Sequence, residues 1–219
     1  MPHGRWLAVI YRLLLVTLLF ITIGPSTAMA TEEPKFDLIE KADTFELRQY
    51  SPVLIAEVSV EGNLDEISGK GFRLIADYIF GNNKAKSGAS EKIPMTAPVT
   101  VEPRAEKIAM TAPVSVQQNH GKWRMYFVMP AKYTLESLPV PNNPQVMLKA
   151  IPARNVAVIT FSGIASESRT AIKTEELLAW MDSKHLKPAS NPELARYNPP
   201  WTLPFFRRNE IMVEYEDRI

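Results

Sequence analysis

Apolar and polar positions begin to alternate at Phe36. Phe36-Asp37-Leu38-Ile39-Glu40 and Thr44 to Tyr50 carry period-two patterns around Lys41-Ala42-Asp43, and Val53 to Val60 is a β-branched run after Pro52. Three antiparallel strands are predicted. The period changes at Gly62-Asn63. Leu64, Ile67, Gly71, Ile75 and Tyr78/Ile79 then recur at three- and four-residue spacing, with Asp65 and Glu66 in the first turn, which predicts an amphipathic helix ending at Gly81-Asn82-Asn83. A polar loop, Lys84 to Ser90, follows.

Further on, Asn119-His120-Gly121 signals a turn and Trp123 to Met129 alternates as a strand closed by Pro130. Tyr133 to Pro144 is too rich in Pro and Asn for regular structure and reads as a surface connection between halves. Val146 to Ile151 and Asn155 to Gly163 are strands. Ser166 to Lys184 is a second helix, with Ala171, Leu177, Leu178 and Met181 on its apolar face and Trp180 beside it. Glu193 to Tyr197 and Arg208 to Tyr215 close the series. Phe36 to Val116 and Trp123 to Tyr215 thus share one order of strands, helix and strands. The fold class expected is α+β, a pseudo-twofold domain whose combined sheet curls around a core with one helix from each half packed on it. Each half alone is too small to bury enough surface, so residues 31–219 are read as one domain.

Between the halves a phrase is said twice. Glu91 to Glu102 returns fifteen residues later as Glu106 to Gln117, with nine of twelve positions identical. Two copies at so short a period do not make a solenoid. Each copy joins a charged pair to Ile-x-Met-Thr, an Ala-Pro step that cannot donate to a ladder, and a β-branched tail, which suits two related strands with a kink or edge at Pro98 and Pro113.

Composition narrows the picture. Arg5 and Arg12, the apolar run Leu13 to Ile23, the break at Gly24-Pro25 and the small-x-small step Ala28-Met29-Ala30 read as a secretory signal, cleaved to start the chain at Thr31. The alternative is an uncleaved anchor, for which the run is short of the roughly 20 residues a bilayer core needs. The expected location is outside the cytoplasm, in a bacterial periplasm, with no stable membrane span after cleavage. Losing Arg5 and Arg12 leaves 23 basic against 24 acidic residues, a balance that argues against a dominant electrostatic partner such as nucleic acid or an anionic membrane surface while leaving local patches open. The absence of cysteine removes disulfides, thiolate chemistry and Cys-ligated zinc.

Catalytic signatures are lacking. There is no G-x-S-x-G, H-E-x-x-H, phosphate loop or dinucleotide fingerprint. Ser162-Gly163 has no preceding glycine and no histidine placed to serve it, and the adjacent Glu175 and Glu176 point to different faces of a helix. No enzyme is expected; a hydrolase is the least favoured reading.

The repeated Ile-x-Met-Thr-Ala-Pro-Val resembles the signature of the SOUL family of heme-binding proteins. The resemblance extends to Phe45 to Tyr50, Gly71 to Asn83, Phe127-Val128-Met129-Pro130, Tyr197-Asn198-Pro199-Pro200 and Arg207 to Glu210, and so covers nearly all of residues 31–219. It implies a distorted antiparallel β-barrel built from two pseudo-symmetric β-α-β halves and flanked by two helices. It also implies a heme or other tetrapyrrole held in a shallow apolar cleft between the first helix and the loop before the last strand, for carriage, buffering or scavenging. A porphyrin is a flat apolar disc with two carboxylates and wants apolar walls with cations at the rim. Phe72, Ile75 and Ile79 are the expected helix wall, Trp201, Leu203, Phe205 and Phe206 the loop wall, and Lys70, Arg73 and Arg207 the rim, with Arg208 a further cation. Another amphipathic small molecule in the same cleft is the alternative.

This chain departs from the family's pattern where iron is concerned. A histidine proposed as axial ligand in some members is Gln49 here, which cannot replace imidazole. The positions matching the family's propionate-facing cations are Asp77 and, near Thr202 or Leu203, an uncharged residue. His120 and His185 lie among polar neighbours away from the cleft, while Met95, Met110, Met125, Met129 and Tyr197 are the other ligand types available. The metal ligand is left unassigned.

Overall fold

The structure, a computed structural model, describes residues 31–103 and 122–217. The expected signal and the second copy of the repeated phrase lie outside the described residues. In chain order the elements are β1 (Phe36–Ala42), β2 (Phe45–Tyr50), β3 (Val53–Glu61), α1 (Leu64–Ile79), β4 (Asn83–Lys84), β5 (Val99–Pro103) and β6 (Lys122–Val128). There follow β7 (Val140–Pro141), β8 (Met147–Ile151), β9 (Arg154–Phe161), α2 (Glu167–Ser183), β10 (Leu186–Pro188), β11 (Glu193–Arg196), a 3-10 turn (Pro204–Phe206) and β12 (Asn209–Asp217).

β1 and β2 form the expected hairpin, turned by Asp43 at a φ of 55°. The third strand does not continue it: β3 pairs with β6 and β8 instead. A two-residue hairpin loop needs positive φ, and the connection Ser51-Pro52 has its proline held near −65°. Pro152-Ala153 stands in the same place between β8 and β9, which also fail to pair.

The resulting antiparallel sheet runs β1-β2-β9-β12-β11-β5-β6-β3-β8, with β10 sharing an edge of β12. Leaving aside β1 and the short strands β4 and β10, its order is a palindrome about the β11–β5 contact. Each half is two strands, a helix and two strands, and the first strand of each half pairs with the second strand of the other. By this symmetry β6 ends the first half rather than opening the second, so the seam is the connection after Val128. That connection contains β7, which pairs with β4, where irregular chain was expected. The first copy of the repeated phrase is a strand only from Val99 onward, preceded by a cis Ala97-Pro98 bond.

Caps set the helix ends. Asn63 accepts from Glu66 N at 2.9 Å while the Glu66 carboxylate accepts from Asn63 N at 3.3 Å, and Ser166 accepts from Arg169 N at 3.3 Å; each cap contributes about 1 kcal/mol. Both helices cover one face of the sheet, where Ile67, Ile75, Tyr78 and Ile79 of α1 and Leu177 and Met181 of α2 join Val58, Phe127, Ile159, Ile211 and Val213 in the core. Trp180 stacks on Phe45 at 5.0 Å and ties α2 to β2. At Gly71, α1 comes so close to β6 that an added Cβ would lie 2.8 Å from Met125 Sδ and 3.3 Å from Met125 Cβ. Gly71→Ala is therefore expected to destabilise by about 1–2 kcal/mol despite its gain in helix propensity; a rise in the urea midpoint would show that Met125 moves aside freely.

The opposite face carries no described helix, yet Tyr126, Glu193, Glu210, Val158 and Met212 on it are buried. The curl of the sheet encloses them. β9 and β6 stand four places apart, about 19 Å in a flat sheet, but Arg154 of β9 donates to the Tyr126 hydroxyl of β6 at 3.1 Å. The fold is thus an α+β half-barrel flanked by two helices.

Candidate functional site

The flank of α1 and the loop Asn198 to Arg208 are the surfaces on which the sequence places a cleft. On α1 the Phe72 ring tilts against Phe127 at 5.6 Å with one edge exposed, and Phe80, two turns on, is also exposed. Ile75 and Ile79 are not cleft walls: both are buried beneath the helix in the core. They lie on the same stripe as Leu64 and Ile67, whereas Phe72 sits at its margin. Lys70 and Arg73 are exposed on the helix surface.

The loop is stiff and apolar at its tip. Thr202 N donates to Pro199 O, Phe206 N to Leu203 O and Arg207 N to Pro204 O, all within 3.1 Å. The Arg207 guanidinium donates to the carbonyls of Thr202 and Pro200 at 2.7 and 2.5 Å. Arg207 therefore braces the loop from within, with Nε and Nη2 committed to carbonyls and no carboxylate paired to its charge among the described residues. Braced in this way, the loop turns its large side chains outward: Trp201 is 83%, Leu203 56%, Phe205 65% and Phe206 69% exposed. The rings of Phe205 and Phe206 lie 4.5 Å apart.

Among the described residues a bridge joins loop and helix. Gly163 N donates to Pro204 O at 2.9 Å, and Arg196 reaches both Ser68 of α1 at 3.1 Å and the carbonyl of Ala165 at 3.2 Å. Among the described residues no ring contact joins Phe72 to the loop aromatics. At the loop's base the Arg208 guanidinium lies 3.4 Å from the Tyr197 ring centre and pairs with Glu33. The Tyr197 hydroxyl donates to Glu210 at 2.5 Å, and burial followed by the negative charge of Glu210 raises its pKa.

A tetrapyrrole fits this surface in part. The apolar side chains suit a porphyrin face, and Lys70 and Arg73 are available for carboxylates. Iron ligands are another matter. Met125 and Met129 are buried in the core, Met95 is half-buried against it, Tyr197 is committed to Glu210, and His185 follows the end of α2. His120 and Met110 lie outside the described residues. No cluster of His, Asp or Glu able to hold a metal ion occurs among the described residues.

Two features had no sequence signal. A cavity of about 430 Å³ lies beside the Ser51-Pro52 crossover, between Glu32 to Lys35 and Val128 to Ala131, with Tyr133 and Leu135 on its wall. None of the expected site residues lines it. The enclosed face of the sheet holds a network in which Arg154 bonds Glu193 and Glu214, Tyr126 donates to Glu193 at 2.7 Å, and Arg124 pairs with Glu102 at 2.9 Å.

Half-barrel and flanking helices define the class of α+β proteins to which this fold belongs. Within it, a family model described as SOUL heme-binding protein matches residues 31–214, and the chain belongs to this family. No curated protein sequence matches it. Similar solved structures include the EcmrR C-terminal domain, at 11% identity and a TM-score of 0.59, covering 80% of this chain and 98% of that one. An uncharacterized conserved protein from Listeria innocua has 12% identity and a TM-score of 0.57, covering 86% and 94%. A hydrolase from Listeria innocua has 10% identity and a TM-score of 0.51, with the same coverage. At such identities the likeness is one of fold alone.

Proposed function

We propose that the protein binds heme or a related tetrapyrrole on the apolar surface of the Trp201–Phe206 loop and the Phe72 flank of α1, and acts outside the cytoplasm as a carrier, buffer or scavenger. The observation that carries this reading is the exposure of four large apolar side chains on a braced loop, in a member of a family described as heme-binding. Export is supported by the N-terminal pattern and by a family match that begins at Thr31, the residue after the expected cleavage point.

Binding in this reading is by packing. Phe205, Phe206 and Trp201 cover a porphyrin face, Phe72 supports its edge, and Lys70 and Arg73 attract its carboxylates. Heme brings redox chemistry and an electrophilic iron, but the described cleft residues hold only the macrocycle. Hemin and iron-free protoporphyrin IX should consequently bind within a few-fold of each other. Replacing both Phe205 and Phe206 with serine should weaken both by at least tenfold, since each ring buried contributes about 1.5–3 kcal/mol. Absorbance titration for hemin and fluorescence titration for protoporphyrin read the result. Non-saturable binding, or hemin binding untouched by the loop substitutions, would remove the basis for the proposal.

The cavity favours a second reading, a small amphipathic ligand unrelated to heme, since its volume falls in the ~300–1,000 Å³ range of ligand pockets. A ligand that protects the protein against heat equally in the parent and in the loop variant would place binding there.

A further inference from the structure

The tip of the loop is a more extreme surface than a ligand wall requires. Trp201, Leu203, Phe205 and Phe206 together expose on the order of 500 Å² of apolar side chain, more than a monomer ordinarily leaves in water at one place. Ile164, next to the glycine that holds Pro204, is exposed as well. The patch is narrow. One short loop offers less than the roughly 800 Å² per partner that a stable protein complex buries, so a second protein is a poor fit for it.

A lipid bilayer suits it better. Backbone entering an apolar phase must have its polar groups satisfied within the protein. Much of the loop's backbone meets this: the amides of Thr202, Phe206 and Arg207 and the carbonyls of Pro199, Pro200, Thr202, Leu203 and Pro204 are bonded within the protein, while the amides of Trp201, Leu203 and Phe205 are left for the hydrated headgroup layer. Beneath the apolar tip stand two cations. Arg207 is held by loop carbonyls, and the Arg169 guanidinium lies 3.3 Å from the point where a Cβ on Gly163 would be. Neither has a carboxylate partner among the described residues. An aromatic and aliphatic tip above a base of arginines matches the apolar interior and the anionic headgroups of a membrane surface in turn.

We propose that the Pro199–Arg207 loop docks the protein on anionic lipid bilayers, with Trp201, Leu203, Phe205 and Phe206 entering the interface and Arg207 and Arg169 at headgroup level. The inference does not depend on tetrapyrrole binding. If both hold, the same loop meets its ligand in the lipid phase, where flat apolar macrocycles partition.

The test uses residues Thr31–Ile219, a compact unit of their own, because the apolar run before them would bind lipid by itself. Vesicles of equal parts phosphatidylcholine and phosphatidylglycerol are titrated with no tetrapyrrole present. Co-sedimentation is expected, with a blue shift of tryptophan emission and quenching by lipids brominated near the headgroup. Trp123 and Trp180 are partly buried against the core, so Trp201→Phe should abolish the shift while leaving co-sedimentation. Replacing Phe205 and Phe206 with serine should weaken binding at least tenfold with the melting temperature unchanged. Absence of binding to these vesicles, binding that survives the double substitution, or loop-dependent self-association in place of vesicle binding would each overturn the proposal. Failure here leaves the hemin titration standing, and the converse also holds.

Discussion

Arg48→Met is expected to lower the free energy of unfolding by about 3–5 kcal/mol, the cost of stranding a buried charge. Arg48 is buried on the enclosed face of the sheet, where its two terminal nitrogens donate to the Glu210 carboxylate at 2.9 and 3.1 Å. Its Nε donates to Glu46 at 2.7 Å, and Nη1 also reaches the Tyr50 hydroxyl at 3.0 Å. Methionine keeps much of the volume of the stem but leaves Glu210, itself buried, with the Tyr197 hydroxyl and an Arg208 nitrogen 3.8 Å away. Adding Glu210→Gln should restore most of the loss, because the amide still accepts from Tyr197 and carries no charge to strand. Urea midpoints of the two variants decide the matter. If the double variant is as unstable as the single one, packing and not charge compensation explains the cost.

Glu102→Gln is expected to make the protein more stable than its parent from neutral pH into mild alkali and to leave it nearly unchanged at and below the ordinary carboxyl value of 4.5. Glu102 of β5 and Glu193 of β11 meet at the pseudo-twofold axis and share a hydrogen bond. Among the described residues, the carboxylates of Glu57, Glu102, Glu193 and Glu214 around them face Arg124, Arg154 and Lys149. Four anions against three cations leave room for one proton. Burial, then the negative charge of Glu193, pushes the Glu102 carboxyl up to about 8. Glu193 goes the other way: burial acts to raise it, but the charge and hydrogen bonds of Arg154 outweigh that and lower it.

Between the ordinary carboxyl value of 4.5 and about 8 the folded protein keeps a proton on Glu102 that the unfolded chain has released. Stability from this group is therefore full below 4.5 and falls as pH rises through the window, by on the order of a few kcal/mol in all. The contribution of Glu193 is present above 4.5 and is lost as pH falls below it. Glutamine copies the protonated form of Glu102 and removes the slope between 4.5 and about 8. Denaturant midpoints from about pH 5 to about pH 9 measure it; parallel curves for parent and variant would mean that Glu102 is ionised throughout.

Helices were readable because both of their signals are local. Apolar spacing and the residues flanking each end locate α1 and α2 within a residue or so, with Asn63 and Ser166 as caps. Strand partners were not, since pairing joins residues far apart: Gln49 faces Asn155 and Ile55 faces both Val128 and Lys149. The enclosed charged face was hidden for a related reason. Period-two alternation around Arg48 and Glu210 reports that a strand has two faces, but a curled sheet buries the second face as well. The family resemblance puts Ile75 and Ile79 in a cleft wall, and helical periodicity could not correct it, because it marks an apolar stripe without saying which part of it meets the core. The loop was the clearest gain: Trp201, Leu203, Phe205 and Phe206 stood out as text and stand out from the surface.

The exchange of first strands between the halves also constrains how the chain acquires its structure. β2 waits for β9, and β9 for β12, the last described element, which occupies a central place between β9 and β11. Neither half can close its sheet alone, and contacts of such high sequence separation form slowly because loop-closure entropy precedes their reward. Closure of the sheet is thus deferred until β12 has left the ribosome. Until then a polypeptide with this topology keeps both halves open.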